Sequence, residues 1–172
     1  MGGDVRAVLL GESGVGKTSL ARGCLAAPGT SPAVVVRAGA MGLPGLVLVE
    51  ASSGRGRAEL ARTRRELRLA EVALLVYDLS RPETVAALRD CWLPLLAVEN
   101  PRAPAVVVGN KLDLLDEEES YRVRVRRVVP IMFRAFEQVE LGVEVSVREG
   151  VSVEEALHAA CDVVCFPTRP LV

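Results

Sequence analysis

Aromatic residues are nearly missing from this 172-residue chain: one Trp, two Tyr and three Phe make up 3% of it. So sparse a set offers no row of exposed rings on which single-stranded nucleic acid could stack, and no nucleic-acid partner is expected. Histidine is scarcer still. His158 stands alone, which excludes a multi-histidine metal centre and leaves little for a Ser-His-Asp hydrolase. The longest purely apolar run, Val72 to Tyr77, is far short of a bilayer span. The opening MGGDVRAVLL enters a strand-like run with no cleavable signal. Arg6 stands where a myristoylation motif needs Ser or Thr, and the ending Arg169-Pro170-Leu171-Val172 carries no prenylation box. Neither charge sign dominates: 21 basic and 22 acidic residues give a formal charge of −1, hence no general pull toward nucleic acid or anionic membrane. Four cysteines (Cys24, Cys91, Cys161, Cys165) lie in helix-like segments without C-x-x-C spacing, and read as reduced, buried thiols. Lysine is the last scarcity. Nineteen basic residues are Arg and only Lys17 and Lys111 are Lys, so each surviving ammonium asks for a chemical reason.

What is present suits one globular domain over 1–172. Half the residues are apolar, a quarter are charged and mean hydropathy is +0.30, enough to build a sizeable core. No repeat or low-complexity linker divides the chain. Strand-like and helix-like stretches alternate from end to end. Val5–Leu10, Ala33–Arg37, Leu46–Glu50, Val72–Tyr77, Ala105–Val108 and Val139–Ser146 read as strands, the last as a half-exposed edge. Lys17–Ala26, Ala58–Leu69, Pro82–Val98 (its last turn distorted by Pro94) and Asp116–Phe136 (broken around Pro130) read as helices. Ser152 and Glu155 form a capping-box pattern before a last helix, whose apolar positions Val153, Ala156, Leu157, Ala160 and Val164 follow the 3.6-residue period. Such alternation predicts a doubly wound α/β sheet, with ligands outside the carboxyl ends of the strands. Elsewhere Glu117-Glu118-Glu119 reads as a solvated helix start. The arginines at 62, 64, 65, 68, 122, 124, 126 and 127 read as solvated faces.

Two motifs fall at strand ends. Gly11-Glu12-Ser13-Gly14-Val15-Gly16-Lys17-Thr18 fits G-x-x-x-x-G-K-[ST] between the first strand and first helix. In such a loop, through Ser19, glycines let successive N–H groups face phosphate oxygens, the helix N-terminus adds partial positive charge, Lys17 meets the β and γ phosphates, and the Thr18 hydroxyl ligates Mg²⁺. The pattern names a triphosphate but no base. Gly109-Asn110-Lys111-Leu112-Asp113 supplies the base: a carboxylate that accepts two hydrogen bonds suits guanine, whose N1–H and N2 both donate, and discriminates against adenine. Lys111 can lay its methylenes on the base face, and Asn110 can tie this loop to the phosphate loop.

With those two motifs the chain resembles the Ras-like small GTPases. More narrowly, DVRAVLLGE, Cys91-Trp92-Leu93-Pro94-Leu95, Val129-Pro130-Ile131-Met132 and Phe166-Pro167-Thr168-Arg169-Pro170-Leu171 resemble the N-terminal GTPase domain of the Miro family, the mitochondrial Rho-like proteins. The resemblance implies a P-loop small-GTPase fold: a six-stranded, mostly parallel sheet with one antiparallel edge strand and helices on both faces. It also implies an N-terminal piece of a longer multidomain protein with EF-hands, a second GTPase domain and a C-terminal anchor in the mitochondrial outer membrane. The expected partners are then protein effectors or motor adaptors and the EF-hand region of the same longer chain; Trp92 reads as a core or domain-contact residue, or could instead face that region. The membrane would be reached only through that anchor, and the domain would work on the cytosolic face of the mitochondrial outer membrane, soluble by itself.

The same resemblance marks departures. Where such proteins carry D-x-x-G-Q, this chain reads Glu50-Ala51-Ser52-Ser53-Gly54. Glu50 could replace the Asp that holds Mg²⁺ through water, but no side chain is left to orient the attacking water, and sliding the register only brings in Arg55. Lys17, Thr18 and Glu50 are therefore the candidate catalytic set, and Thr18 and Glu50 the candidate metal ligands. Thr30 or Ser31 could act as the first-switch Mg²⁺ contact. Gly29 stands where an aromatic often covers the guanine, which implies quick nucleotide exchange. Ser13 replaces a usual Gly and could crowd an arginine finger supplied in trans. The S-A-K element reads Ser146-Val147-Arg148, with backbone amides toward guanine O6. Two functions follow: a slow GTPase acting as a switch, or a nucleotide-locked pseudo-GTPase serving as a structural partner-binding module.

Overall fold

The computed structural model describes residues 4–23, 33–36, 45–52, 54, 56–115 and 130–166. Six strands form one sheet: β1 (Val5–Leu10), β2 (Ala33–Val36), β3 (Leu46–Glu50), β4 (Val72–Asp78), β5 (Ala105–Asn110) and β6 (Val139–Glu144). Their order is β2-β3-β1-β4-β5-β6; β2 runs antiparallel on β3, and every other pairing is parallel. The expected six-stranded, mostly parallel architecture is present, and β2 is its antiparallel edge. All seven residues of β4 and all six of β5 are buried, because helices cover both faces and leave no side of a central strand to water.

Two apolar clusters flank the sheet. One joins α1 (Lys17–Gly23) and α6 (Val153–Cys165) to Leu9, Leu48, Leu74 and Val106. The other joins α2 (Arg57–Leu69), α3 (Pro82–Ala87), α4 (Leu93–Glu99) and a short helix over 130–135, here α5, to Val8, Leu10, Leu75 and Val107. Alternate residues of one strand thus feed opposite clusters, as a period of two requires. Each fully buried Leu or Val adds about 1.5–3 kcal/mol, so the strand ends rest on a rigid support. Among the described residues, no helix is long and apolar enough to cross a membrane.

Several local expectations are corrected. The break in the third helical stretch precedes Pro94 instead of following it: Leu88–Trp92 makes one wide turn, with the Leu93 N–H bonded to the Leu88 carbonyl five residues back, and Leu93–Glu99 is then regular. A proline ring disturbs the carbonyl four residues earlier, so the distortion falls in the preceding turn. Ser152 is no capping-box residue. It adopts a left-handed conformation (φ 53°) and its side chain makes no cap hydrogen bond, because Val151 and Ser146 pair their backbones just before the helix. The edge strand β6 stops at Glu144, so Ser146 belongs to that following bridge. Of the α6 positions, Val153, Ala156, Leu157 and Ala160 are buried while Val164, near the helix end, is half-buried. Cys161 is a buried thiol, but Cys91 and Cys165 are exposed, on the outward sides of the wide turn and the helix end. Arg64 and Arg68 are not simply solvated; both pair with Glu99 of α4, at 3.2 and 2.6 Å. Trp92 packs in the second cluster at 7% exposure. Cys24, Glu117-Glu118-Glu119, Arg122, Arg124, Arg126 and Arg127 lie outside the described residues.

Candidate functional site

The strand order reverses direction at β1, whose neighbours are β3 and β4, and the loop at its carboxyl end leads into α1. Residues 11–16 are folded tightly against the ends of β4 and β5. Gly11 (φ +143°) and Gly16 (φ +100°) lie where L side chains rarely go. A Cβ on Gly11 would run into the Val76 carbonyl, and one on Gly16 into the Asn110 amide. The loop therefore needs glycine for both dihedral and space.

Lys17 opens α1 and is only 4% exposed. Its Nζ donates to the carbonyls of Gly11 (2.8 Å) and Glu12 (2.9 Å), which curls the ammonium back across the loop. Burial pulls its pKa below the ordinary lysine value, and the nearby Glu50 and Glu12 carboxylates oppose that pull. The Thr18 hydroxyl donates to both carboxylate oxygens of Glu50, at 2.9 and 2.7 Å. An ammonium, a hydroxyl and a carboxylate thus meet at the end of β3. Val15 is buried, whereas Ser13 and Ser19 face outward.

On the other side, Asp78 and Asn110 close β4 and β5 as register partners. Asn110 is 3% exposed; its Nδ2 donates to the Val15 carbonyl (3.0 Å), and its Oδ1 accepts the Val147 N–H (3.2 Å). The Nδ2 contact is the tie between the N-K-x-D loop and the phosphate loop, and the Oδ1 contact adds the 146–148 segment to it. Ser146 Oγ donates to Asp113 Oδ1 at 2.6 Å and accepts the Glu149 N–H. That contact orients the Asp113 carboxylate, whose Oδ2 has a guanidinium of Arg148 at 3.9 Å; the Arg148 side chain itself is 80% exposed. Lys111 adopts a left-handed conformation (φ 68°), and its ammonium bonds Asp78 Oδ2 at 2.7 Å. Glu12, Ser13, Gly14, Val15, Gly16, Lys17 and Thr18 are thus brought next to Asn110, Lys111, Asp113, Ser146, Val147 and Arg148.

Asp78 is the residue that sequence reasoning missed. It is 1% exposed and holds Lys111, Arg81 (Nε to Oδ2, 2.9 Å) and Ser80 (backbone N 2.9 Å, hydroxyl 2.6 Å, both to Oδ1). Burial alone would raise its pKa, but the hydrogen bonds from Lys111, Ser80 and Arg81 win and draw it from 3.8 to about 2. The available signal was an acid ending an otherwise apolar strand beside the strand that ends in N-K-x-D. At the end of β3 the arrangement is plainer. Ser52 Oγ accepts the Gly54 N–H (3.1 Å), the Ser52 carbonyl accepts the Thr63 hydroxyl (3.3 Å), and a Cβ on Gly54 would meet the Glu59 carboxylate. Gly29, Thr30, Ser31, Ser53 and Arg55 lie outside the described residues.

Residues 56–165 match the Ras family. The chain is 32% identical over 184 aligned positions to "Mitochondrial Rho GTPase 1" of Mycosarcoma maydis, an alignment that takes in 98% of this chain and 23% of that protein. It is 30% identical to "Mitochondrial Rho GTPase 1" and "Mitochondrial Rho GTPase 2" of Arabidopsis thaliana, over 97% of this chain and 26% of each. The chain therefore spans about a quarter of the curated relatives it matches. A parallel sheet whose strand ends gather both motifs, and a match that covers most of the fold, lead to one conclusion: the chain belongs to the Ras family, and it resembles the mitochondrial Rho GTPases within it.

Proposed function

We propose that residues 1–172 form a single domain that binds GTP or GDP and hydrolyses GTP slowly, as a molecular switch in mitochondrial transport or organisation. The observation that supports this best is the Asn110 amide, which at 3.0 Å from the Val15 carbonyl and 3.2 Å from the Val147 N–H joins all three segments of a guanine-nucleotide pocket. In this reading the amides from Ser13 to Ser19 and the Lys17 ammonium hold the phosphates, while Asp113, kept in place by Ser146, accepts two hydrogen bonds from guanine. Arg148 presents its backbone amide toward the guanine carbonyl oxygen, while the Val147 N–H is held by Asn110 Oδ1 and fixes the segment. The Lys17 contacts with Gly11 and Glu12 satisfy a buried ammonium that would exchange those carbonyls for phosphate oxygens.

Magnesium fits the donor set. Thr18 and Glu50 offer only hard oxygen atoms, 2.7 and 2.9 Å apart, so Thr18 would hold the ion directly and Glu50 through water. Bound there, the ion would neutralise charge between the β and γ phosphates. Glu50 carries one methylene more than the family's Asp and reaches Thr18 directly. The relatives' printed names, and the quarter of their length that this chain spans, support a place within a longer protein associated with mitochondria; the effectors or motor adaptors, EF-hand region and membrane anchor outside these residues come with the family resemblance.

A second reading, a nucleotide-locked module that presents fixed surfaces to partners, is favoured by one observation. The space that a side chain at 54 would take is filled by Glu59, whose carboxylate also accepts the Gly56 N–H at 3.2 Å. No side chain at 54 orients water, and hydrolysis without one runs about 10²- to 10⁴-fold below a site with a positioned group. Chromatography of nucleotide released from denatured purified protein tests the binding claim: GDP or GTP is expected, and adenine nucleotide or none overturns it. Single-turnover hydrolysis of loaded GTP, with and without Mg²⁺, then separates switch from module.

A further inference from the structure

The guanine motif and the phosphate loop touch through Asn110, and they are also linked by a second route. Lys111 Nζ and Arg81 Nε bond the same oxygen, Asp78 Oδ2, at 2.7 and 2.9 Å. The other oxygen is fixed by the Ser80 amide and hydroxyl, so the carboxylate has little freedom to rotate between its two cations. From Arg81 the chain of contacts continues: its Nη2 donates to the Ser13 carbonyl at 3.2 Å. In a trans peptide, carbonyl and amide point in opposite directions. A guanidinium on the outer side of the Ser13 carbonyl therefore turns the Gly14 N–H inward, where a phosphate would sit. Gly14 supplies the positive φ (+78°) of this peptide's turn, while a Cβ there would make only ordinary contact with Arg81 Nη2 at 3.6 Å.

We propose that Asp78 is a positioning residue that couples the base side of the pocket, through Lys111, to the phosphate loop, through Arg81. Resting on the guanine-nucleotide reading above, the claim concerns how two parts of one ligand are sensed together. A guanine held by Asp113 through N1–H and the 2-amino group is seated firmly on the Lys111 stem and fixes that side chain, whose backbone already holds a left-handed conformation; hypoxanthine, one hydrogen bond short, is seated less firmly. The ammonium then pins Oδ2, Oδ2 pins Arg81, and Arg81 sets the peptide between Ser13 and Gly14. Phosphate bound at that amide stabilises the same chain in reverse, as linkage demands. Arg81 does not serve as a charge on the phosphate itself, because it grips a carbonyl on the outer side of the loop.

The test is a cycle of four ligands on the purified chain: GDP, GMP (no β-phosphate), IDP (no 2-amino group) and IMP (neither). In the wild type, the affinity gained from the β-phosphate is expected to be about tenfold larger with guanine than with hypoxanthine. In Asp78→Asn, which keeps the shape but turns a shared acceptor into a group that cannot hold both cations, the two gains become independent and GDP leaves about tenfold faster. Arg81→Met, a half-exposed site and a safeguard should Asp78→Asn not fold, also removes the coupling: the GMP-to-IMP ratio stays as in the wild type, and the GDP-to-IDP ratio falls about tenfold to meet it. Additive gains in the wild type, or coupling that survives both variants, overturn the proposal while guanine binding stands. Failure of the wild type to bind any of the four overturns the nucleotide reading and the coupling with it.

Discussion

The two sides of the pocket are built by opposite means. On the side of β4 and β5, polar groups are buried and mutually satisfied: Asp78, Asn110 and Ser146 are at most 3% exposed, and each has partners on another segment. On the side of β3, Glu50 is half-buried, its described hydrogen-bond partner is the exposed Thr18, and a glycine stands where the family's water-orienting Gln would be. Buried polar networks are costly unless complete, so the first side specifies one geometry. The second has few constraints and can change shape with little penalty. In the proposed reading, recognition is set into the core and turnover depends on an edge with no side chain at 54.

The strongest way to break this comparison is Lys17→Met. If the pocket works as proposed, nucleotide affinity falls by about 100-fold or more, since a buried ammonium facing phosphates has no substitute; equilibrium titration with GDP measures it. An unchanged affinity would mean that the base side alone holds the ligand. Next comes Asp113→Asn, which replaces one acceptor by a donor against guanine N1–H and N2. Guanine affinity should drop at least tenfold in a competition assay. The weaker side is probed by Gly54→Gln, expected to raise single-turnover hydrolysis by about tenfold or more, provided the flexible Glu59 end swings away. The same change removes the bond to the Gly56 N–H and should lower the melting temperature slightly. A Gln variant that hydrolyses no faster would point to the module reading.

The smallest effect is on pH. Asp78 has its pKa depressed from 3.8 to about 2 in the folded protein. A group whose folded value is depressed contributes stability above its unfolded value, and loses it as pH falls through the folded one. The melting-temperature gap between wild type and Asp78→Asn should therefore be constant near neutrality and narrow between about pH 4 and pH 2. A gap that stays constant to pH 2 would show that the carboxylate's charge adds nothing to the bonds.

Much of this was legible in the residues themselves. The runs VALLVY at 72–77 and AVVV at 105–108 read as strands covered on both faces, because burial on two sides favours unbroken apolar sequence. The two lysines stood out because arginine fills nearly every other basic position, and the structure places both at strand or helix ends of one pocket. Asp78 was not legible, since its partners lie in sequence neighbours Ser80 and Arg81 and in the distant Lys111; only the register of β4 on β5 brings them together. Ser152 misled for a related reason. Its capping pattern is local, but the backbone bridge between Ser146 and Val151 arrives at the helix start in a left-handed turn that turns the hydroxyl away. Pro94 showed that a break is readable while its side of the proline requires the carbonyl geometry.

Scarcity of rings leaves one practical legacy. The chain's single indole, on Trp92, is buried in the apolar cluster that also holds Leu88, Leu93 and Leu96. Its emission therefore reports from one known depth without spectral overlap from any sibling. Loosening of that helical layer would redden the light before the opposite layer, capped by α6, had been touched.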